Sequence, residues 1–406
     1  LVFNSDLDGL VPEDQDHLTD AFVFNASDGT NALVSQYSPG QEEPVQGKPA
    51  PAFSFSGDGR SVLFGGMENS LEPLADHVSY VFLRDLTAAT TDRVDFSELD
   101  KSMHGSTRAI LAPDGQTLAL TFSSYGPSSS SDIFLQNRST GEMVKVTTAT
   151  AGRPANGESY LPTFSPDGRY LAFVSTASNL VASDTPCSEA NRGCADVFLY
   201  DIPAKMLTRI PARIALVMGT PTFRLTVSNQ ASFIAWADLE EPEKSYRPVV
   251  RLYNRQTGKT ETICAGETFC TGHTPSISAD GRWLAFASIP AHNAEVKTDT
   301  SSYAQVYLLD RNTYTLSLLS ENENGEPGNG HSGMIQLQPE GFSSDVQISG
   351  DGRFIAFSSQ AQNLLPKDNE KRQCFNPVTV GPYACYDLFL YNRQEDTLSW
   401  ISHLSK

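Results

Sequence analysis

The sequence predicts an all-β protein, a seven-bladed β-propeller of four-stranded antiparallel blades whose first blade lacks its inner strand. Three observations carry this. One four-strand meander is spelled out between Leu161 and Ile210, its turn-and-second-strand core recurs along the whole chain, and the spacing of the copies varies.

The meander reads as two short apolar-alternating runs joined by Ser165-Pro166-Asp167-Gly168, then a long polar loop, then the runs Asp196–Asp201 and Leu207–Ile210. Gly in the turn takes positive φ without penalty, and Asp caps its own backbone. The following Leu171-Ala172-Phe173 sets large apolar groups two apart on one face, as a strand between two sheets requires. Copies of this core start at Ser56, Ala112, Ser278 and Ser349, and a decayed copy, in which Gln230 replaces Asp, starts at Ser228. Successive turns lie 50 to 71 residues apart. A lone meander cannot bury both of its faces, so repetition at this length implies sheets stacked around an axis. The blades fall at about 1–35, 51–96, 108–147, 161–210, 225–264, 274–320 and 345–402, forming one domain over 1–406.

SPDGRYLAF followed by DVFLYD resembles the repeat of the TolB-like bacterial β-propellers, relatives of the WD-repeat proteins. The resemblance spans almost the whole chain in six copies and a partial one. It implies the fold, not an activity, because propellers host enzymes and binding modules alike.

The chain opens inside a repeat, since Leu1-Val2-Phe3-Asn4-Ser5 aligns with Leu171–Ser175, as a mature or fragmentary chain would. The missing inner strand is expected from residues upstream. No run of eighteen apolar residues marks a membrane span. A net charge of −19 argues against a nucleic-acid partner, whose phosphates would be repelled.

Six cysteines form three local couples, Cys187 with Cys194, Cys264 with Cys270, and Cys374 with Cys385, each within one polar loop. Stapled loops fit an oxidising compartment, so three disulfides and a periplasmic, outer-surface or secreted location are expected.

Loop lengths divide by strand end. The turns joining first to second and third to fourth strands are short; second-to-third loops and the connections between blades are long and hold all the cysteines. Function is expected on the long-loop side. Aligned on the Asp-Gly turns, Arg108, Tyr160, Phe223, Arg224, His273 and Asp345 fall at the mouths of the inner strands and are the candidate binding rim. Asp6, Asp8, Asp14 and Asp16 cluster around a Gly and offer hard oxygen ligands for a structural calcium; no cofactor is required. The motif Asn179-Leu180-Val181 returns as Asn363-Leu364-Leu365 in the equivalent loop, which suggests a shared structural turn. No catalytic residues are assigned: a G-x-S-x-G elbow is absent, and the turn aspartates read as backbone devices.

The expectation is a non-catalytic, extracytoplasmic propeller that binds a protein or ligand through its long-loop side. The alternative is a propeller-type polysaccharide lyase or glycosidase acting at the central channel.

Overall fold

A computed structural model describes the chain except residues 6–8, 15–19, 37–48, 68–78, 95–104, 125–130, 183–193, 216–223, 241–246, 264–271, 290–302, 334–345, 367–372, 376–381, 385 and 403–406. The fold is an all-β, seven-bladed β-propeller. The chain forms two compact units, Leu1–Arg213 with Leu404–Lys406, and Ile214–His403. The first unit opens with a sheet that has three strands among the described residues, Val2–Ser5, Asp20–Asn25 and Thr30–Leu33. Every other blade has four antiparallel strands in chain order. Blade seven adds a hairpin, Gln373–Phe375 with Pro382–Ala384, inside its long second-to-third loop.

Each second strand is sorted by its alternation. In Trp283–Ser288, Leu284 and Phe286 pack on blade five, beside Ala235, Val250 and Leu252. Ala285 and Ala287 face the other way, where Phe357 and Phe389 of blade seven pack against them. The small residues leave room for the large ones of the next sheet, which is why the repeat reads Leu-Ala-Phe. Aromatic rings also pair directly across strands, Phe173 with Phe198 at 5.6 Å between centroids and Phe357 with Phe389 at 5.9 Å.

The Asp-Gly turns work as the sequence predicts. Ser56 Oγ donates to Asp58 Oδ1 at 2.6 Å, and Ser165, Ser278 and Ser349 donate to Asp167, Asp280 and Asp351 at 2.5 Å each. The same Asp oxygen accepts the amide two residues on, as in Asp280 from Arg282 at 2.9 Å. The serine hydroxyl is the main reason that the carboxyls of Asp58 and Asp351 lie below the usual range. In the decayed copy, Gln230 and Ala231 still take positive φ, 55° and 50°, without a glycine. Arg255 braces them by donating to the Gln230 carbonyl at 2.9 Å.

Neighbouring blades are joined by two repeated hydrogen bonds. At the turns, the amides of Gly57, Asn229 and Ala279 donate to the carbonyls of Pro113, Ala279 and Gly350, at 2.9, 2.8 and 2.8 Å. In the inner strands, Ser54, Thr226 and Ser276 accept the amides of Leu111, Ile277 and Ile348 through their hydroxyls. Arginines after the third strands complete the turn end. Arg393 stacks over the Trp283 ring at 4.0 Å and donates to the Gly352 carbonyl at 2.7 Å. Arg311 does the same with Phe233, at 3.8 Å, and the Gly281 carbonyl.

Candidate functional site

The inner-strand mouths carry a shared irregularity. Blade four pairs Tyr160 with Val174 and then resumes at Thr163 with Ala172; blade six pairs His273 with Ala287 and resumes at Ser276 with Ala285. At the break, Leu161 and Thr274 take φ of 53° and 47°, in a region that a β-branched residue such as Thr enters only under strain. Thr274 is held there by donating its hydroxyl to the Gly333 carbonyl at 3.1 Å. Such bulges re-aim side chains at the end of a strand. Nothing in the residue types announces this, because neither position is glycine.

Tyr160 is half-buried and donates its hydroxyl to the Glu158 carboxylate. Burial, then that bond, pushes its phenol up, so it stays protonated. His273 is 7% exposed, and its Nδ1 makes no hydrogen bond with any described residue. Burial pushes its imidazole down to about 4, so the ring is neutral at physiological pH. A neutral His273 offers a hydrogen bond, not a charge. Arg224 precedes the first strand of blade five, and its carbonyl accepts the Ala237 amide at 3.3 Å. Arg224 and His273 therefore open consecutive blades of the second unit, while Tyr160 opens the last blade of the first. The backbone of Arg108 pairs with Thr121, but its side chain, and all of Phe223 and Asp345, lie outside the described residues.

Of the proposed calcium ligands, Asp14 is buried, with its amide donating to the Val11 carbonyl at 3.2 Å; Asp6, Asp8 and Asp16 lie outside the described residues. Among the described residues no group of three His, Cys, Asp or Glu could hold a metal ion. Cys187, Cys264, Cys270 and Cys385 also fall outside, and Cys194 and Cys374 are described by their backbone alone. In the blade-seven hairpin, Gln373 pairs with Ala384, the sequence neighbours of Cys374 and Cys385.

The repeated Asn-Leu-Val and Asn-Leu-Leu loops are a shared latch. Asn179 Oδ1 accepts the Asn156 amide at 3.1 Å and Nδ2 donates to the Pro154 carbonyl at 3.0 Å. Asn363 repeats both bonds, with the Asn329 amide at 2.9 Å and the Pro327 carbonyl at 3.1 Å. In return, Asn156 and Asn329 accept the amides of Ser178 and Gln362, each at 2.8 Å. Each latch ties a second-to-third loop to the connection entering its own blade. The segments around Asn156 and Asn179, and around Asn329 and Asn363, are thus tied together at the long-loop end.

Sequence reasoning missed one further device, although its signal was present. The Asp opening several third strands reaches the fourth strand: Asp132 accepts from Lys145 and Thr147 at 2.8 and 2.7 Å, and Asp196 from Arg209 at 2.7 Å. DIFLQN, DVFLYD and DLFLYN share that residue two before the aromatic.

No protein-family model matches the chain, and no curated protein matches its sequence. Solved structures do. The β-propeller domain of the Trilobed protease from Pyrococcus furiosus, described as having an open velcro topology, aligns with a TM-score of 0.55 at 9% identity, covering 100% of this chain and 99% of that one. An oligogalacturonate lyase from Vibrio parahaemolyticus gives 0.52 at 11% identity, over 93% of this chain and 83% of its own. TolB from Acinetobacter baumannii is also among the matches, with 0.44 at 13% identity, over 94% of this chain and 75% of its own. At these identities the likeness shows the β-propeller fold alone.

Proposed function

We propose that this propeller is an extracytoplasmic, non-catalytic binding module whose protein partner docks at the long-loop end, contacting the rim of Arg108, Tyr160, Phe223, Arg224, His273 and Asp345. The pair of asparagine latches carries this reading. The loop segments held by Asn179 and Asn363 lose less entropy when a partner binds. Three local disulfides, Cys187–Cys194, Cys264–Cys270 and Cys374–Cys385, would brace the same end, and calcium at Asp6, Asp8, Asp14 and Asp16 would do so in blade one. The described residues form no helix long and apolar enough to cross a membrane.

The test is capture of partners from the source cell envelope with the wild-type chain, Arg108→Ala/Arg224→Ala, and the turn-end control Lys205→Ala/Lys259→Ala. Loss with the rim pair alone supports the reading. Loss with the turn-end pair alone, or depolymerisation of an acidic polysaccharide by the purified chain, overturns it.

A further inference from the structure

Between blades six and seven of the second unit lies a groove of about 520 Å³, within the range of ligand sites. Its apolar wall is built from Leu318, Leu365 and Leu398. Its polar rim carries Glu321, Glu323 and Asp396, and among the described residues no lysine, arginine or histidine lines it.

The walls are fixed before any ligand arrives. Asn322 Oδ1 accepts the amides of Asn324 and Glu326, each at 3.0 Å, which shapes the Glu321–Gly325 segment. The Asn363 latch holds Leu364 and Leu365. Tyr391 donates its hydroxyl to Asp396 Oδ1 at 2.6 Å, setting that carboxylate at the opposite lip.

Three described charges nearby, Glu326, Glu395 and Arg393, are already committed. Glu326 accepts from Asn322 Nδ2 at 2.9 Å, and Glu395 pairs with Arg353 at 2.9 Å. Arg393 is spent on the Trp283 ring and the Gly352 carbonyl. Among the described residues, no lysine or arginine pairs with Glu321, Glu323 or Asp396. Burial, and then the charge of Asp396, pushes the Glu321 carboxyl up. A cation between the two would offset their repulsion and favour the charged form of Glu321.

We propose that this groove binds a segment of a partner protein that carries lysine or arginine beside leucine-like side chains. The aliphatic part would cover the leucines while the charged end meets Glu321 and Asp396. A long basic side chain has both halves of that chemistry. The site goes beyond the rim reading and stands or falls separately, since its residues come from other parts of the blades.

The experiment is fluorescence anisotropy at physiological ionic strength with a labelled octapeptide of alternating leucine and lysine. Comparison peptides alternate serine with lysine and leucine with glutamate. The wild-type chain should bind the leucine–lysine peptide about tenfold or more tighter than the serine–lysine one and should not bind the leucine–glutamate one. Glu321→Gln/Asp396→Asn should weaken the first peptide by about tenfold or more, and Leu365→Ser by a similar factor. Asparagine suits position 396 because it tolerates the left-handed backbone there, φ 52°. Thermal melts of each variant establish that it is folded. Absence of binding, equal affinity for the charge-removed variant, or equal affinity for the serine–lysine peptide overturns the proposal. The last result would mean general attraction to a chain of net charge −19.

Discussion

Ile348, in the inner strand of blade seven, donates its amide to the hydroxyl of Ser276 in the inner strand of blade six, at 3.1 Å. A backbone group of one sheet is held there by a side chain of the next, in addition to the Ala279–Gly350 backbone bond at the turn end. Thr226 and Ser54 occupy the same place in blades five and two. Ser276→Ala would leave the part-buried Ile348 amide without its acceptor. We expect a loss of about 1–3 kcal/mol in denaturant unfolding, with Ser276→Thr close to wild type. A Ser276→Ala midpoint equal to that of wild type would mean that the bond is replaced by water at no cost.

Phe286 is fully buried between blades five and six, and Phe173 and Phe357 hold the same place in their blades. Truncation of Phe286 to Ala should cost about 3–5 kcal/mol. An unchanged melting curve would contradict the packing register.

Gly352 combines φ of 68° with a position where a Cβ would lie 2.4 Å from Trp283 Cδ1. Gly352→Ala meets backbone strain and overpacking together and should destabilise by about 2–4 kcal/mol. Gly59, in the equivalent turn of blade two with nothing near its Cβ position, should suffer less on the same change. The difference in stability between the two variants is the measurement.

His273 is buried neutral, its imidazole lowered from 6.5 to about 4. The unfolded chain binds the proton first, so this group's contribution is complete above about pH 6.5 and is lost as pH falls towards 4. The loss between pH 7 and 4 should be on the order of 3 kcal/mol greater for wild type than for His273→Asn. Parallel pH dependence of the two unfolding free energies would show that the ring is hydrated.

Asn363→Ala removes the acceptor for the Asn329 amide and the donor to the Pro327 carbonyl. Hydrogen exchange should speed up at Asn329 and Gln362 while the strand Phe354–Ser359 stays protected. Uniform acceleration would show instead that the latch supports the whole blade.

Much of this architecture was legible in the residues themselves. The Asp-Gly turns depend on contacts within five residues, as Ser278, Asp280 and Trp283 show, so a local pattern was enough to place them. The Leu-Ala-Phe alternation is equally local, and it fixed both the sandwiching of second strands and the number of blades. The repeated Asn-Leu pair pointed to a common turn through its recurrence alone, since its hydrogen bonds reach 23 to 36 residues along the chain.

Tertiary structure alone decided the rest, because those features join residues far apart in the chain. Thr274 takes its strained backbone against Gly333, fifty-nine residues away. The neutrality of His273 follows from what packs around it, and its residue type gave no sign of that. The groove exists because Glu321, Leu365 and Asp396 converge from a connection, a loop and a turn. Sequence determines strands and turns through short-range sterics and capping. Burial, charge proximity and shape depend on which strands become neighbours, and only the folded chain settles that.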